Sequence, residues 1–448
     1  MSPPQITDRQ ALVSRATPIN NVDIRAVLDA TTEPRIVWGA PDQATVVGWG
    51  SAATLVANGP DRFSEIQTQA EALFSSGDVH AGTEAARPRL FGGFSFHEQT
   101  AARSPWNAFP DARFVFPRVQ VTYADSGVWL TVNAVGEDAT PTQVEDTLEK
   151  EKDRLESLEP HSHDPVAPGI GESHRTTTKQ AWTESVNEAT RRINAGELQK
   201  VVLAQALEAS LASEPSIGDI LNQLSVSYPN CHLFTIEPPA SDRISFFGAS
   251  PERLVSVHGR TVETDALAGT TGRGETPAED EWLAEELLAD PKNTHEHQLV
   301  VETIREQLKP YIASISVGDR RVKRLATVQH LHTPITAELA TDEHVLSLVE
   351  ALHPTPAVGG LPPEKALETI IRTEPFERGW YAAPVGWIDA AGNGTFAVAL
   401  RSAVTTPTTA TLFAGVGLVA DSDPDAEWDE VELKYRSILD VLEGSSVR

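Results

Sequence analysis

Several residues in this chain of 448 carry the types and spacings that chemistry requires. Glu296, Val300 and Ile304 fall four apart, so on a helix they share one face, which Leu299 and Leu308 extend. A carboxylate therefore heads a face that should be buried, where it is costly unless paired or bound to a metal. The same residue also fits a plain helix start, where the dipole favours an anion. Glu427, Glu430 and Lys434 fall at i, i+3 and i+7 of a second helix, which Asp423 can cap and Pro424 can begin. A solvated charged face would look the same. Two helices that each offer a Glu would suit Mg²⁺, which takes hard oxygen ligands and shares them with substrate and water. Zinc fits less well. His295 and His297 flank Glu296, but residues two apart on a helix point about 200° apart. His330 and His332 could share a strand face, with no third ligand nearby.

Other residues suit acid–base work and anion binding. Lys200 opens the apolar run Lys-Val-Val-Leu-Ala and reads either as a gatekeeper at a strand end or as a base made neutral by burial. Glu252 follows Ser250-Pro251 between two apolar strands and reads either as a turn carboxylate paired with Arg253 or as a general acid. Gly269-Thr-Thr-Gly-Arg-Gly274 is a glycine-rich loop by pattern. No Gly-Lys-Ser/Thr follows it, so it is not a phosphate-binding loop, but backbone can approach a ligand there. Gly415 and Gly417 could serve likewise. Arg401 is expected to end the strand Phe396–Leu400, where a guanidinium could grip a carboxylate with two hydrogen bonds.

The elements that must position these residues are mixed. Residues 1–160 read as β-rich: Ile36–Trp38 and Thr45–Val47 flank the turn-like Pro41-Asp42-Gln43. Val119, Val121 and Tyr123 alternate up to Asp125-Ser126-Gly127, and Val128, Leu130 and Val132 alternate away, a hairpin pattern. Helices are expected over Thr142–Leu158, Trp182–Asn194, Glu296–Leu308 and Asp425–Leu442. Strands are expected over Lys200–Leu207, Phe246–Ala249 and Arg253–Val257. Residues 159–175, rich in Pro, Gly, His and Ser, read as a linker. Domains usually run about 100–200 residues, so the length admits two domains or one large two-layer unit.

Composition excludes several functions. A net charge of −28 argues against nucleic acid and anionic membranes as partners. An anionic substrate would need cations concentrated locally. The single cysteine, Cys231, rules out an intramolecular disulfide and an iron–sulfur cluster. Met1-Ser-Pro-Pro-Gln lacks a leader pattern and no apolar run approaches the ~20 residues that span a bilayer, so a cytoplasmic location is expected.

The joint order of these motifs is more specific than any one. The run Lys200-Val-Val-Leu-Ala204, then Gly248-Ala-Ser-Pro-Glu-Arg-Leu254, Ala266-Leu-Ala-Gly-Thr270 and His295-Glu-His297, resembles the chorismate-utilising enzymes. So do Leu352-His-Pro-Thr-Pro-Ala-Val-Gly-Gly360, Arg378-Gly-Trp-Tyr381, Pro384-Val-Gly-Trp387, Phe396-Ala-Val-Ala-Leu-Arg-Ser402, Ala414-Gly-Val-Gly417 and Glu427-Trp428 through Lys434. The resemblance is dense over 175–445, the expected chorismate-binding catalytic region, and thinner before it, in Phe91-Gly-Gly-Phe-Ser-Phe96 and Pro105-Trp-Asn-Ala-Phe109. It implies an α/β (α+β) fold like that of anthranilate synthase component I: two stacked, largely antiparallel sheets with outer helices, to which residues 1–160 contribute the N-terminal β-rich part.

The resemblance also implies roles. Lys200 resembles the base that activates water for attack at C2, and Glu252 the acid that protonates the departing C4 hydroxyl. Glu296 and Glu430, with Glu427 beside them, resemble ligands of Mg²⁺ that hold the ring carboxylate, which Lys434 also contacts. Arg401, Tyr381 and the Gly415 amide resemble the grip on the enolpyruvyl carboxylate, and Thr270, His330 and Ala357 resemble the ring pocket. Ammonia-using members typically have Gln where Lys200 stands, and the aminodeoxychorismate type often has Lys where Ala268 stands. Lys200 with Ala268 thus implies water as nucleophile and no glutaminase subunit; salicylate-forming members share the Lys and remain the alternative, while the His353-Pro-Thr-Pro-Ala-Val-Gly-Gly360 loop resembles the isochorismate-forming type. Menaquinone supply is the expected destination and siderophore supply its nearest variant. Gln205, Ala383 and Thr395 depart from the family pattern at positions away from the acid, base and metal ligands.

Overall fold

A computed structural model describes residues 11–444 except 32–33, 42, 76, 99–103, 137–138 and 240–242. Met1-Ser-Pro-Pro-Gln and Asp42 of the expected turn therefore lie outside the described residues. The first half of the chain runs β1 (Leu12–Ile19), α1 (Ile24–Asp29), β2 (Arg35–Gly39), β3 (Thr45–Ala57), α2 (Arg62–Phe74), β4 (Gly77–His80), β5 (Leu90–Phe94), β6 (Ala112–Ala124), β7 (Gly127–Val135), α3 (Pro141–Glu156), β8 (Ile170–Arg175), α4 (Lys179–Asn194) and β9 (Lys200–Leu211). Then follow α5 (Ile217–Ser227), β10 (His232–Ile236), β11 (Ser245–Ser250), β12 (Arg253–His258), β13 (Thr261–Gly272), α6 (Pro277–Ala289), α7 (Pro291–Leu308), β14 (Ile312–Val317), β15 (Arg321–Arg324) and β16 (Val328–Leu339). The chain closes with α8 (Val345–Leu352), β17 (Gly360–Leu361), α9 (Pro363–Thr373), β18 (Pro384–Ile388), β19 (Gly394–Val398), β20 (Ser402–Thr405), β21 (Thr409–Leu418) and α10 (Pro424–Glu443).

The strands form two antiparallel runs that share β6. One passes through β3, β2, β10, β11, β20 and β21 to β9. The other passes through β5, β18, β19, β12 and β13 to β16. The parallel β1–β4 pair is the exception among the described strands. Aromatic side chains of the loops cover the first run: Trp106 packs on its Phe246 and Phe413, and Phe109 on Phe246 and on Trp380. Helices α7 and α10 pack against β13 and β21 from outside. No helix among the described residues is long and apolar enough to cross a membrane.

The hairpin around residues 125–126 forms, with Ala124 opposite Gly127, and Gly127 takes a φ of 118° that its glycine permits. Four expectations need correction. Helix α7 begins at Pro291, capped by Asp290, so Glu296 lies in its second turn rather than at its start. The plain helix-start reading of Glu296 therefore fails. The expected linker 159–175 ends in a strand, β8, which is mostly exposed and pairs with the edge of β9. Gly269–Gly274 is not a free loop: β13 continues through Gly272, and Gly269 at φ 74° forms a bulge where the register shifts between Ala268 and Thr270. Arg401 does not end a strand, because β19 stops at Val398. Arg401 occupies a tight turn before β20 with φ 48°, a left-handed conformation that is uncommon outside glycine.

Candidate active site

One pocket between the two sheet runs gathers all twelve residues singled out for chemistry: Lys200, Glu252, Thr270, Glu296, His330, Ala357, Tyr381, Arg401, Gly415, Glu427, Glu430 and Lys434. They come from β9, β13, α7, β16, β21, α10 and the loops after β11, α8, α9 and β19.

Lys200 opens β9 and its side chain is 1 % exposed. Its Nζ stands 2.7 Å from Glu296 Oε1, which resolves how α7 accommodates a buried carboxylate. Gly417 on the adjoining strand makes room for the pair. A Cβ there would lie 2.8 Å from Lys200 Cε and 2.9 Å from Glu296 Oε1, so any side chain would displace the pair. The gatekeeper reading fails, because the ammonium points inward.

Glu252 is buried in the turn between β11 and β12. Burial pushes its carboxyl up to about 8, opposed by the nearby Lys200 charge, so it holds its proton at neutral pH. Its amide donates to Ser250 Oγ at 3.3 Å, its carbonyl accepts from the Val398 amide at 3.1 Å, and Thr355 Oγ1 approaches Oε1 at 3.5 Å. Arg253 pairs with Glu263 and Asp265 rather than with Glu252, so the local-pair reading is also excluded.

Arg401 is buried and its Nη2 lies 3.1 Å from His330 Nε2. A guanidinium only donates, so His330 accepts at Nε2 and carries its proton on Nδ1, towards Thr270 Oγ1 at 3.1 Å and the Gly269 carbonyl at 3.3 Å. Burial and the Arg401 charge both hold His330 neutral. Arg401 Nη1 has no hydrogen-bond partner, and no carboxylate pairs with the guanidinium among the described residues. Tyr381 stacks on Phe413 at 5.2 Å between ring centroids. A Cβ on Gly415 would come within 3.2 Å of the Tyr381 hydroxyl.

The α10 side of the pocket is rich in carboxylates. Glu430 pairs with Lys434 at 2.8 Å, and the same ammonium donates to the Gly415 carbonyl at 2.8 Å. Burial, then repulsion from Glu430, push Glu427 up to about 7. The smaller, repulsive part of that shift comes from two neighbouring carboxylates, which a cation between them would relieve. Glu296, Glu427 and Glu430 supply only hard oxygen donors, the set Mg²⁺ prefers. In this arrangement no three carboxylate, histidine or cysteine groups converge at metal-binding distance among the described residues, and Glu296 and Glu430 are each paired with a lysine. The histidines flanking Glu296 point apart: His295 is exposed, and His297 Nε2 lies 2.8 Å from Thr333 Oγ1.

Sequence reasoning missed Lys292, Asn293 and Arg378, which line the same pocket. The Asp290-Pro291 cap and first position would have moved the start of α7 back far enough to include the first two. Arg378 was legible only as part of a motif. Its guanidinium is consumed internally, by Glu374 at 2.8 Å and by the carbonyls of Val358 and Val202, each at 2.8 Å.

The profile of the chorismate binding enzyme family matches residues 4–443. The chain is 37% identical to the salicylate biosynthesis isochorismate synthase of Pseudomonas aeruginosa, over 98% of this chain and 91% of that protein. It is 35% identical to the isochorismate synthase MenF of Bacillus subtilis, over 92% and 88%. Among solved structures, MenF, the menaquinone-specific isochorismate synthase from Escherichia coli, superposes with a TM-score of 0.80 at 27% identity, covering 97% of this chain and 95% of that one.

Proposed function

The chain belongs to the chorismate-binding enzyme family, and from that premise we propose that it is an isochorismate synthase, converting chorismate to isochorismate. The observation that carries the reading of the site is Arg401: a buried, unpaired guanidinium in the same pocket as a protonated carboxylic acid and a buried lysine. A buried cation without a counter-charge is costly, and an anionic ligand would supply the missing one.

Water is a poor nucleophile and hydroxide a poor leaving group, so the exchange needs a base on one side of the ring and an acid on the other. Lys200 takes a proton from the water that attacks C2. Glu252 gives its proton to the C4 hydroxyl, which leaves as water while the ring π bonds shift. In this arrangement Lys200 Nζ is tied to Glu296 and must be released from it to meet the water. Arg401 binds the enolpyruvyl carboxylate, with Tyr381 and the Gly415 amide beside it. Neutral His330, with Thr270 and Ala357, shapes the wall against the ring. Glu296, Glu430 and Glu427 would hold Mg²⁺, whose charge offsets the ring carboxylate that Lys434 also faces. With water as nucleophile, no ammonia-supplying subunit is needed. Menaquinone is the destination we propose, since MenF is the name of the Bacillus subtilis relative and of the Escherichia coli structure.

Incubation with chorismate and Mg²⁺, with products resolved by chromatography, tests the assignment. Isochorismate is the expected product. Accumulation of salicylate with pyruvate, or no turnover by folded protein, contradicts it.

A further inference from the structure

The carbonyl of Pro251 is buried immediately before Glu252, and its donor comes from another strand pair. Lys323 Nζ donates to it at 2.6 Å. Lys323 belongs to the short strand β15, opposite His330 of β16. In sequence it sits in the basic run Arg320-Arg-Val-Lys-Arg324, which reads as surface charge. Its neighbours partly bear that out: Arg324 is exposed and pairs with Glu281 at 2.6 Å. Lys323 does not. It is half-buried, the desolvation pushes its ammonium below the ordinary lysine range, and it pairs with no carboxylate among the described residues. A lysine placed at such cost, with its hydrogen bond aimed at one carbonyl, points to a requirement at that carbonyl.

The remaining backbone groups of this turn are already held. The Glu252 amide is bound to Ser250 and its carbonyl to the Val398 amide, so Lys323 supplies the third hold on the Pro251–Glu252 segment. Three charged groups act on the Glu252 carboxyl: Lys200 from β9, Asp265 from β13 and Lys323 itself. Asp265 is held by His332 of β16 at 3.0 Å and by Arg253 at 3.8 Å. Glu296, His330 and Arg401 face Glu252 across the pocket.

We propose that Lys323 is a positioning residue for the acid: its ammonium grips the Pro251 carbonyl and fixes the peptide that aims the Glu252 carboxyl into the pocket. The proposal rests on the reading of Glu252 as the general acid. Lys323 does not itself line the pocket, and the one hydrogen bond of its ammonium goes to the peptide that carries Glu252. With Lys323 gone, Asp265 repels a Glu252 carboxylate with less opposition, and the acid holds its proton to higher pH.

The test compares the pH dependence of kcat in Lys323→Met, Lys323→Arg and Glu252→Gln. Lys323→Met keeps the bulk and removes the donor. It is expected to lower kcat by about 10–100-fold with KM for chorismate nearly unchanged, as misplacement of a reacting group does. Its alkaline limb should move upward by on the order of one pH unit. Lys323→Arg keeps charge and donor and should recover most of kcat. A folded Lys323→Met with wild-type kcat and an unmoved alkaline limb overturns the proposal. So does a loss of kcat with the limb unmoved and no recovery in Lys323→Arg, which is what damage to packing alone would give. Should Lys323→Met fail to fold, Lys323→Gln, with a shorter uncharged donor, is read by the same limb: upward movement supports the proposal and an unmoved limb overturns it. Glu252→Gln separates the two readings. If it turns over at the wild-type rate, the acid assignment falls and takes Lys323 with it. If it is impaired and lacks the alkaline limb while Lys323→Met is normal, the acid stands and only the role of Lys323 is lost.

Discussion

Arg378 and Arg401 line the same pocket, both are buried, and they are satisfied in opposite ways. Arg378 spends its guanidinium on Glu374 and on two backbone carbonyls that tie β9 to the loop after α8. Arg401 has a neutral histidine on one nitrogen and nothing on another. The first is built into the fold, and the second is held ready for something the fold does not contain. The lysines extend the contrast, since Lys200 and Lys434 are each paired with a carboxylate. One end of the pocket is thus open to an anion as it stands. At the other, charge pairs must be exchanged before a ligand can be held.

The largest effect should come at the paired end. Stripping divalent metal with EDTA is expected to abolish turnover, and Mg²⁺ to restore it. Full activity in a metal-free sample would remove Glu296, Glu427 and Glu430 from their proposed role. Next in size, Lys200→Ala should cut kcat by roughly 10²–10⁴-fold, the usual worth of a general base, while chorismate still binds. Near wild-type turnover in a folded, uncontaminated sample would sink the base assignment.

The two arginines should then separate by what is measured. Arg378→Met leaves Glu374 buried and unpaired and should cost about 3–5 kcal/mol of stability, read by denaturant titration. Arg401→Lys should leave stability almost unchanged and raise KM by about 10-fold or more, because a point charge replaces a planar fork. Equal stability losses in both would erase the distinction.

The smallest effect concerns Glu252. Its carboxyl titrates near 8 in the fold against 4.5 for a free side chain. A folded-state value raised above the unfolded one means the fold favours the protonated form. Stability is therefore lost as pH rises from 4.5 towards 8. Glu252→Gln cannot ionise, so it should be the more stable protein at pH 8 by at least on the order of 1 kcal/mol, the gap closing towards pH 4.5. A gap that does not depend on pH would place the raised titration elsewhere.

How far the sequence foretold this depends on what kind of signal each residue left. Helical spacing put Glu427, Glu430 and Lys434 on one face of α10, whose Asp423 cap and Pro424 start are as the pattern implied. Strand alternation located the β6–β7 hairpin for the same reason: period and turn chemistry are local. The errors lie where tertiary geometry overrides local pattern. Arg401 looked like the end of an apolar strand, but the chain turns at Ala399 and forces a left-handed residue. The Gly269 run looked like a loop because a bulge within a strand also calls for glycine. β8 is polar and exposed, so nothing in its composition announces that it pairs with β9. Lys323 is indistinguishable by sequence from the surface arginines around it, and only the pairing of β15 with β16 turns it inward towards Pro251.

The central claim is that this pocket adds one water at C2 and expels the C4 hydroxyl as another, and isotopic oxygen reads that exchange directly. Chorismate turned over briefly in ¹⁸O-enriched water should give isochorismate with one heavy oxygen, at the C2 hydroxyl. Isochorismate formed without label would mean that the hydroxyl migrates within the substrate. The division of labour between Lys200 and Glu252 would then be wrong, however well the residues are placed.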